Sequence, residues 1–243
     1  MKIKILLPLF FAFAIMLSSC GEKIDTNAKL DTKIDSLSYS LGVSVAGSLQ
    51  QSYLEEVNYN AFFKGLKDKF DDSDIEISIE DGHKLIQAYI SALRIERISS
   101  NLREGKSFLI ENQKKEGVIT AQGGLQYEII NEGMGKSPDS SADTVIVQYT
   151  GTLIDGTVFD SSVEKPEPFK TALNRVIPGW KVGLKLMKEG AKYKFYIPSE
   201  LGYGANVRPG GIIEPNMALI FEIELLQVIE GPDQSLPLGV SEF

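Results

Sequence analysis

Residues 144–162 read TVIVQYTGTLIDGTVFDSS, and this stretch decides the fold of the C-terminal half. In its first part apolar and polar residues alternate, with Val145, Val147 and Tyr149 on one side of an extended chain and Gln148 on the other. A period of two is typical of a β-strand with one face in a core and the other in water. The stretch therefore predicts a half-buried strand.

The same alternation returns in residues 217–229, where apolar residues such as Phe221 alternate with acidic ones such as Glu222. Further segments rich in valine, isoleucine and aromatic residues are 125–130, 169–173 and 191–198. Together they predict antiparallel strands with one wet face. One short helix is expected between them, with Pro178 suited to its first turn and Gly190 to its end.

The N-terminal half follows a longer period. Apolar residues recur every three or four positions, as in one face of an amphipathic helix, at Ile34, Leu37, Leu41, Val45 and Leu49. A second helix is predicted over about 58–70. A third should begin near Ser78, whose hydroxyl can cap it while Asp81 follows three residues later. It runs to about residue 114 without a proline, so this stalk helix would be roughly 55 Å long.

The start of the chain is typical of an exported protein. Lys2 and Lys4 precede an apolar run over residues 5–17, which has the order of a secretory signal and is too short to span a membrane. The run ends in LSSC at 17–20, which resembles the bacterial lipobox, whose cysteine is lipidated and becomes the first mature residue. The resemblance implies a lipid anchor on Cys20 at the periplasmic face of the outer membrane. An ordinary signal peptide with an unrelated cysteine is the alternative.

The helical region is predicted to form a homodimer. Its apolar stripe is flanked by small residues such as Gly42 and Ala46, which allow another helix to approach closely. Two short helices cannot cover the long third helix within one chain, and an uncovered stripe on an exported protein would aggregate. A second copy is the predicted cover, with an ordinary intrachain core as the alternative.

The composition excludes several classes of function. With 33 acidic against 25 basic residues the net charge is −8, which argues against nucleic acid as a partner. One histidine and one cysteine exclude an intrachain disulfide, a Cys/His zinc site and a Cys/His nucleophilic pair. The acidic residues Asp71, Asp72 and Asp74 lack the glycine and glutamate of a calcium loop. We therefore predict chemistry without a metal or a cofactor.

Six motifs follow one another in the C-terminal half: VQYTG (147–151), GTVFDSS (156–162), PF (168–169), VIPGW (176–180), LGYG (201–204) and IFEIELL (220–226). In this order they resemble the successive signatures of the FKBP-type peptidyl-prolyl cis-trans isomerases. The region over about 34–115 resembles the helical domain in front of the isomerase domain in exported Mip-like and FkpA-like members. The resemblance implies an α+β protein, with an antiparallel sheet wrapped on a short helix and preceded by an all-α dimerisation domain.

The resemblance also implies a domain division and a substrate pocket. The domains would be a signal peptide (1–19), a flexible tether (20–33), the helical domain (34–115), the isomerase domain (116–230) and a disordered tail (231–243). Catalytic roles are implied for Tyr149, Phe159, Asp160, Tyr203 and Phe221, and substrate-binding roles for Phe169, Val176, Ile177, Trp180 and Ile213. The sequence departs from the family at Thr171, where many members have a second aromatic residue, and in the segment 206–214.

Such a pocket accounts for catalysis without a nucleophile. An X-Pro bond rotates over a barrier of about 20 kcal/mol, and at its top the amide loses resonance and becomes less dipolar. A dry aromatic pocket therefore favours the twisted amide. We predict an isomerase that assists folding of proline-containing, unfolded exported proteins, with a non-catalytic chaperone or binding module as the alternative. The family resemblance also implies binding of FK506- or rapamycin-type macrolides.

Overall fold

The computed structural model describes residues 27–207 and 210–232. The predicted signal peptide, Cys20 and most of the predicted C-terminal tail lie outside these residues. The described chain divides into two compact units, one of residues 27–45 with 57–75 and one of residues 46–56 with 76–207 and 210–232. Within the described ranges, none of the helices is both long and apolar enough to cross a membrane.

Three helices form the N-terminal part, as the apolar periodicity predicts. They are α1 (Lys33–Gln51), α2 (Tyr59–Phe70) and α3 (Ile79–Asn112). The Asn58 side chain caps α2 by accepting from the backbone N–H of Ala61 at 3.1 Å. The Ser78 hydroxyl accepts from the N–H of Asp81, also at 3.1 Å, which confirms the cap predicted for the long helix. With 34 residues, α3 is about 51 Å long.

The apolar faces of α1 and α2 are open in the single chain. Leu37 of α1 is 53% exposed and Phe70 of α2 is 84% exposed. Neither helix has a buried residue. One copy of the chain therefore leaves two apolar helix faces in contact with water.

A seven-stranded sheet makes up the C-terminal part. Its strands are β1 (Ile119–Thr120), β2 (Gln126–Asn131), β3 (Thr144–Leu153), β4 (Val158–Ser161), β5 (Phe169–Ala172), β6 (Lys192–Ile197) and β7 (Leu219–Ile229). Their order is β1-β2-β6-β7-β3-β4, with β5 also paired to β3. Every pair is antiparallel, which confirms the predicted type of sheet. Strands β1 and β4 add to the predicted set.

Strand β3 is the centre of the core. Buried and partly buried residues alternate along its whole length, and it pairs with β7 from end to end. Val145, Val147 and Tyr149 are among its buried positions, as the opening stretch of sequence predicts. The hydrophobic core therefore lies on one face of the sheet.

A short helix, α4 (Pro178–Leu184), packs on this face and begins with the predicted proline. It ends before Gly190, which was the predicted terminus. After Leu184 the hydrogen bonds change to a three-residue spacing, with Met187 N–H donating to the Leu184 carbonyl at 3.1 Å. The tighter turn buries Met187 in the core. Gly190 instead lies in the turn into β6, with φ +84°.

Two glycines allow α4 to approach β6 closely. A Cβ at Gly179 would lie 2.6 Å from Ile197 Cγ2, and a Cβ at Gly183 would lie 2.6 Å from Phe195 Cε1. Any side chain at these positions would push the helix away from the sheet. The spacing of four residues keeps both glycines on the same helix face.

The C-terminal part of α3 packs on the seven-stranded sheet. A Cβ at Gly105 would lie 3.1 Å from the Ala218 Cβ, so the backbones approach closely there. The rings of Phe108 and Tyr196 lie 5.9 Å apart between centroids. This half of α3 is thus in direct contact with β6 and with the segment that precedes β7.

A buried pair of amides holds the end of α3. Asn112 Nδ2 donates to Gln126 Oε1 at 3.0 Å, and Gln126 Nε2 donates to the Leu109 carbonyl at 2.8 Å. Both side chains are buried. These contacts cross the domain boundary predicted between residues 115 and 116, and that boundary stays a prediction.

Candidate active site

Five of the predicted pocket residues form one aromatic cluster. They come from four strands and α4: Tyr149 (β3), Phe159 (β4), Phe169 (β5), Trp180 (α4) and Phe221 (β7). Most neighbouring rings meet edge to face, with centroids 5.2 Å apart for Tyr149 and Trp180, 5.3 Å for Trp180 and Phe221, and 5.4 Å for Phe159 and Phe221. Such edge-to-face contacts stabilise a fixed arrangement of rings.

Trp180 is the centre of this cluster and is buried. Its ring contacts Tyr149, Phe169 and Phe221. Within the described residues its Nε1 has no hydrogen-bond acceptor. The three ring contacts hold the indole in place. Trp180 thus provides an apolar floor.

Phe159 packs directly on the backbone of β3. A Cβ at Gly151 would lie 2.6 Å from Phe159 Cζ and 2.9 Å from Phe221 Cε1. The glycine of the VQYTG motif therefore leaves the space that these two rings occupy. A side chain at residue 151 would displace both walls.

One carboxylate lies at the edge of the aromatic cluster. The Tyr149 hydroxyl donates a short hydrogen bond to Asp160 Oδ2, and Lys165 Nζ lies 3.2 Å from Asp160 Oδ1. The Asp160 side chain is 47% exposed, so the carboxylate is open to water on one side. Asp160 therefore joins a buried phenol to an exposed ammonium group.

These contacts keep Asp160 ionised. Burial alone would raise its pKa, but the hydrogen bonds from Tyr149 and Lys165 outweigh burial and hold the pKa below its ordinary value of 3.8. Burial first, and then the hydrogen bond to Asp160, raise the pKa of Tyr149 well above the usual range. Tyr149 is therefore a neutral donor and Asp160 an anionic acceptor at physiological pH.

Two serines after Asp160 fix the backbone of Tyr149. Tyr149 N–H donates to Ser162 Oγ at 2.9 Å, and Ser162 N–H donates to the Tyr149 carbonyl at 3.0 Å. Ser161 Oγ donates to the same carbonyl at 3.2 Å. The DSS part of the motif thus binds β4 to β3 at the residue whose hydroxyl holds Asp160.

Tyr203 approaches Asp160 from a separate turn. It is about half exposed, and burial together with the negative charge of Asp160 raises its pKa. Gly204, which follows, has φ +61°, and its carbonyl accepts from Asn216 N–H at 2.8 Å. The turn that carries Tyr203 is therefore held by the loop before β7.

The three predicted aliphatic rim residues all pack against the core while staying partly exposed: Val176, Ile177 and Ile213. Ile212, the neighbour of Ile213, is exposed. Thr171 is partly buried on β5, opposite Val145 of β3. The structure therefore brings five of the predicted aromatic residues and Asp160 together, with the three aliphatic residues packed against the same hydrophobic core, whereas Cys20 lies outside the described residues.

Sequence reasoning missed two groups in this site. Lys165 forms an ion pair with Asp160, but no regular sequence pattern links the two residues. Ser162 is fully buried and bonds both to Tyr149 and to Gln148 Oε1, the latter at 2.5 Å. Its position in the FDSS motif is the only signal in the sequence, because serine side chains commonly bond to backbone groups near the ends of short strands and turns.

The arrangement is suited to a reaction of an apolar, neutral group. Aromatic rings line the surface, one carboxylate and two phenols lie at its edge, and the Asp160 carboxylate is already bound by Tyr149 and Lys165. Such a surface can exclude water from a bound amide and offer one hydroxyl as a donor.

Comparisons with known proteins agree with this chemistry. A family model described as FKBP-type peptidyl-prolyl cis-trans isomerase matches residues 135–226. A second, described as the domain amino terminal to FKBP-type peptidyl-prolyl isomerase, matches residues 34–129. Together the two models account for both halves of the described chain.

Curated relatives and solved structures match over most of the chain. The FKBP-type 22 kDa peptidyl-prolyl cis-trans isomerase of Escherichia coli (strain K12) is 39% identical over 84% of this chain and 100% of its own length. The outer membrane protein MIP of Legionella longbeachae is 36% identical over 82% of this chain and 87% of its own. The crystal structure of FkpA from Escherichia coli has 34% identity and a TM-score of 0.64, over 82% of this chain and 97% of that one. The chain belongs to the FKBP-type peptidyl-prolyl cis-trans isomerases.

Proposed function

We propose that the chain accelerates rotation about X-Pro bonds of exported proteins, with the aromatic cluster as its substrate pocket. The observation that carries this proposal is the convergence of Tyr149, Phe159, Phe169, Trp180 and Phe221 around one surface. A planar amide is more dipolar than a twisted one, so transfer into an apolar pocket favours the twisted form. A protease-free isomerase assay on a short X-Pro peptide tests the proposal, and acceleration by the mature chain is expected.

The polar groups at the edge would orient the bond. The Tyr149 hydroxyl is engaged by Asp160, which leaves the more exposed Tyr203 as the donor that we propose for a substrate carbonyl. Asp160 would hold Tyr149 against the pocket and place a negative charge beside Tyr203. We assign both residues catalytic roles in orientation, without any proton transfer.

Asp160→Ala should lower kcat/KM on an X-Pro peptide by about ten- to a hundredfold, because it removes a preorganised charge from the site. The chain should still fold, because the Asp160 side chain is half exposed, but the melting temperature should fall somewhat because the buried Tyr149 loses its hydrogen-bond acceptor. Because the pKa of Asp160 is lowered, its charge is lost only as pH falls through that lowered value. Wild-type kcat/KM should therefore be flat from about pH 5 to 8.

Asp155→Ala is the matched control for this variant. Asp155 lies in the turn before β4, where its carboxylate accepts from Thr157 N–H at 2.9 Å. The kcat/KM of Asp155→Ala should stay within about twofold of the wild-type value. Full activity of Asp160→Ala would exclude a catalytic role for Asp160.

We further propose that the protein is held in the cell envelope by a lipid on Cys20. The basic residues, the apolar run and the LSSC sequence before the mature chain support this location, and one relative is named an outer membrane protein. Each buried CH₂ of an acyl chain contributes about 0.8 kcal/mol, and stable anchoring takes more than one chain. A multiply acylated Cys20 would meet that requirement.

Cys20→Ala should shift the protein from the membrane to the soluble fraction, or leave the precursor uncleaved, because no acyl chain can then be attached. Membrane fractionation followed by immunoblotting checks this. A cleaved Cys20→Ala protein that still sediments with the membrane after a salt wash would rule out the lipid anchor.

We also propose that two copies assemble through α1 and α2. The exposed apolar side chains of these helices support a second copy as their cover: Leu37, Leu41 and Val45 of α1, with Phe62, Phe63 and Leu66 of α2. An apolar surface of this extent is unusual on a soluble monomer. Two linked isomerase domains would hold one unfolded chain at two points and raise its local concentration at each pocket.

Phe63→Glu should convert the dimer into a monomer, because it places a charge in the apolar face of α2. Light scattering of the mature chain should give twice the chain mass for wild type and the single mass for the variant. Met134→Glu, a substitution at a 97% exposed residue of the isomerase domain, is the control and should stay dimeric. A wild-type chain that is monomeric at micromolar concentration would end the proposal.

A binding module without turnover is the second candidate function. The exposed apolar helix faces favour it, since they could hold unfolded segments without any bond rotation. If Asp160→Ala loses protein-refolding activity together with its kcat/KM on a peptide, the isomerase is favoured. If its refolding activity stays at the wild-type level, the binding module is favoured.

A macrolide of the FK506 type would occupy the same aromatic pocket and compete with an X-Pro peptide.

A further inference from the structure

The loop before β7 is bound to helix α3 by an ion pair. Arg97 Nε donates to Glu214 Oε2 at 2.7 Å, and Arg97 Nη2 donates to Oε1 at 3.3 Å. Two bonds between one guanidinium and one carboxylate fix their relative orientation as well as their distance. The Glu214 side chain is only 17% exposed, so water screens the pair less than it would on an open surface.

Asn101, one turn further along α3, makes a second connection to the same loop. Its Nδ2 donates to Glu214 Oε2 at 3.1 Å and to the Pro215 carbonyl at 3.0 Å. The Asn101 side chain is buried. Movement of the loop would leave a buried amide without its acceptors, so the positions of loop and helix are coupled.

The connected loop touches the substrate pocket on both sides of Glu214. Ile213, directly before it and proposed as a rim residue, packs against the hydrophobic core that contains Trp180 and Phe221. Asn216, two residues after it, donates from its backbone N–H to the Gly204 carbonyl in the turn that carries Tyr203. Asn216 has φ +60°, a conformation that the surrounding contacts must hold. Glu214 thus stands between the rim and the proposed donor.

We propose that Arg97 and Asn101 are positioning residues of the isomerase: through Glu214 they hold Ile213 and the Tyr203 turn in the geometry that binds an X-Pro segment. The long helix would then be part of the pocket's supporting structure. This inference rests on the pocket proposed above. Neither residue would touch the substrate. Ile213, proposed for substrate binding, is the chain neighbour of Glu214, whereas the Tyr203 turn is held indirectly, through a backbone hydrogen bond to the same loop. Removal of Arg97 or Asn101 should therefore weaken peptide binding more than it slows bond rotation.

The test compares Arg97→Gln with Arg103→Gln in a chain that begins at residue 21, after the proposed lipid attachment site. Arg103 lies on the same helix, and its polar contacts within the described ranges are with neighbours on that helix, Ser100 Oγ at 3.1 Å and Glu96 Oε1 at 3.9 Å. Three quantities are measured: kcat and KM on an X-Pro peptide, and the peptide dissociation constant from the fluorescence of Trp180. Because Trp180 is the one tryptophan of the chain, its signal reports the pocket floor directly.

Arg97→Gln should raise both KM and the peptide dissociation constant about three- to tenfold, with kcat nearly unchanged. Arg97→Lys should recover part of the loss, because it keeps the charge without the two-pronged geometry. Arg103→Gln should stay within about twofold of wild type. If Arg97→Gln does not fold, Glu214→Gln is measured instead. It removes the negative charge of the ion pair while keeping the shape of the side chain, and the same loss of peptide affinity is expected.

Two results overturn the proposal. One is a folded Arg97→Gln or Glu214→Gln chain with the peptide affinity and KM of wild type, beside a wild-type chain that accelerates isomerisation. The other is an Arg103→Gln chain that loses as much peptide affinity as Arg97→Gln, because the loss would then follow from any change in α3. A wild-type chain that neither binds nor isomerises the peptide would instead contradict the pocket function, and this inference with it.

Discussion

Phe221→Ala should lower the free energy of unfolding by about 3–5 kcal/mol and remove most of the isomerase activity of the protein that remains folded. Phe221 is buried on β7, and its ring contacts Tyr149, Phe159 and Trp180. Truncation to alanine leaves a cavity against all three rings, so the pocket loses a wall and its floor loses support. Urea denaturation and the X-Pro peptide assay at low temperature measure the two effects.

Phe195→Ala separates the two effects. Phe195 lies opposite Phe221 on β6 and is equally buried, but the rings that it contacts are those of Tyr127 and Tyr193, which are not part of the aromatic cluster. The loss of stability should be similar, while the folded variant should keep most of its kcat/KM. Parallel losses of activity in the two variants would mean that activity follows stability alone, against a role for Phe221 in the pocket.

The sequence predicts the residues of the aromatic cluster because they lie in segments with a clear local pattern. Tyr149 and Phe221 stand at buried positions of strands with a clear period of two, and Trp180 follows a proline that begins a helix. Once the order of motifs resembles a family, each motif carries its residue to a known place on the sheet. Five aromatic side chains that are far apart in the chain could therefore be predicted to meet in one cluster.

Short elements escaped the same reasoning. Strand β4 has four residues and β1 has two, which are too few to show an alternation. The end of α4 was misplaced at Gly190, because a glycine indicates a helix end without excluding an earlier one. The helix ends earlier because Met187 is buried in the core, and the burial of a residue depends on the rest of the fold.

Contacts between distant segments leave no local pattern at all. Arg97 and Glu214 are 117 positions apart, and each looks like an ordinary surface charge in its own segment. Likewise, Asn112 near the end of a polar helix gives no sign of its buried bond to Gln126. The periodicity of α3 predicts its existence and length, but its docking on the sheet follows from polar pairs that periodicity cannot reveal.

That docking leads to the second large prediction. A truncated chain of residues 116–230 should be less stable than one of residues 93–230 by about 2–5 kcal/mol, because it loses apolar burial and buried hydrogen bonds together. Without α3, the Tyr196 ring loses Phe108, Gln126 loses both of its partners, and Ala218 loses the backbone at Gly105. Urea denaturation of the two truncated chains measures the difference.

A third truncated chain, of residues 76–230, is the control. It adds the N-terminal half of α3, in which Leu85, Ile86 and Tyr89 are exposed, so its stability should equal that of 93–230 within about 0.5 kcal/mol. Equal stability of 116–230 and 93–230 would instead support the boundary predicted between residues 115 and 116. The expected order places the energetic boundary inside α3, before Arg97, because from that residue onward the helix is bonded to the isomerase fold and before it the apolar side chains face water.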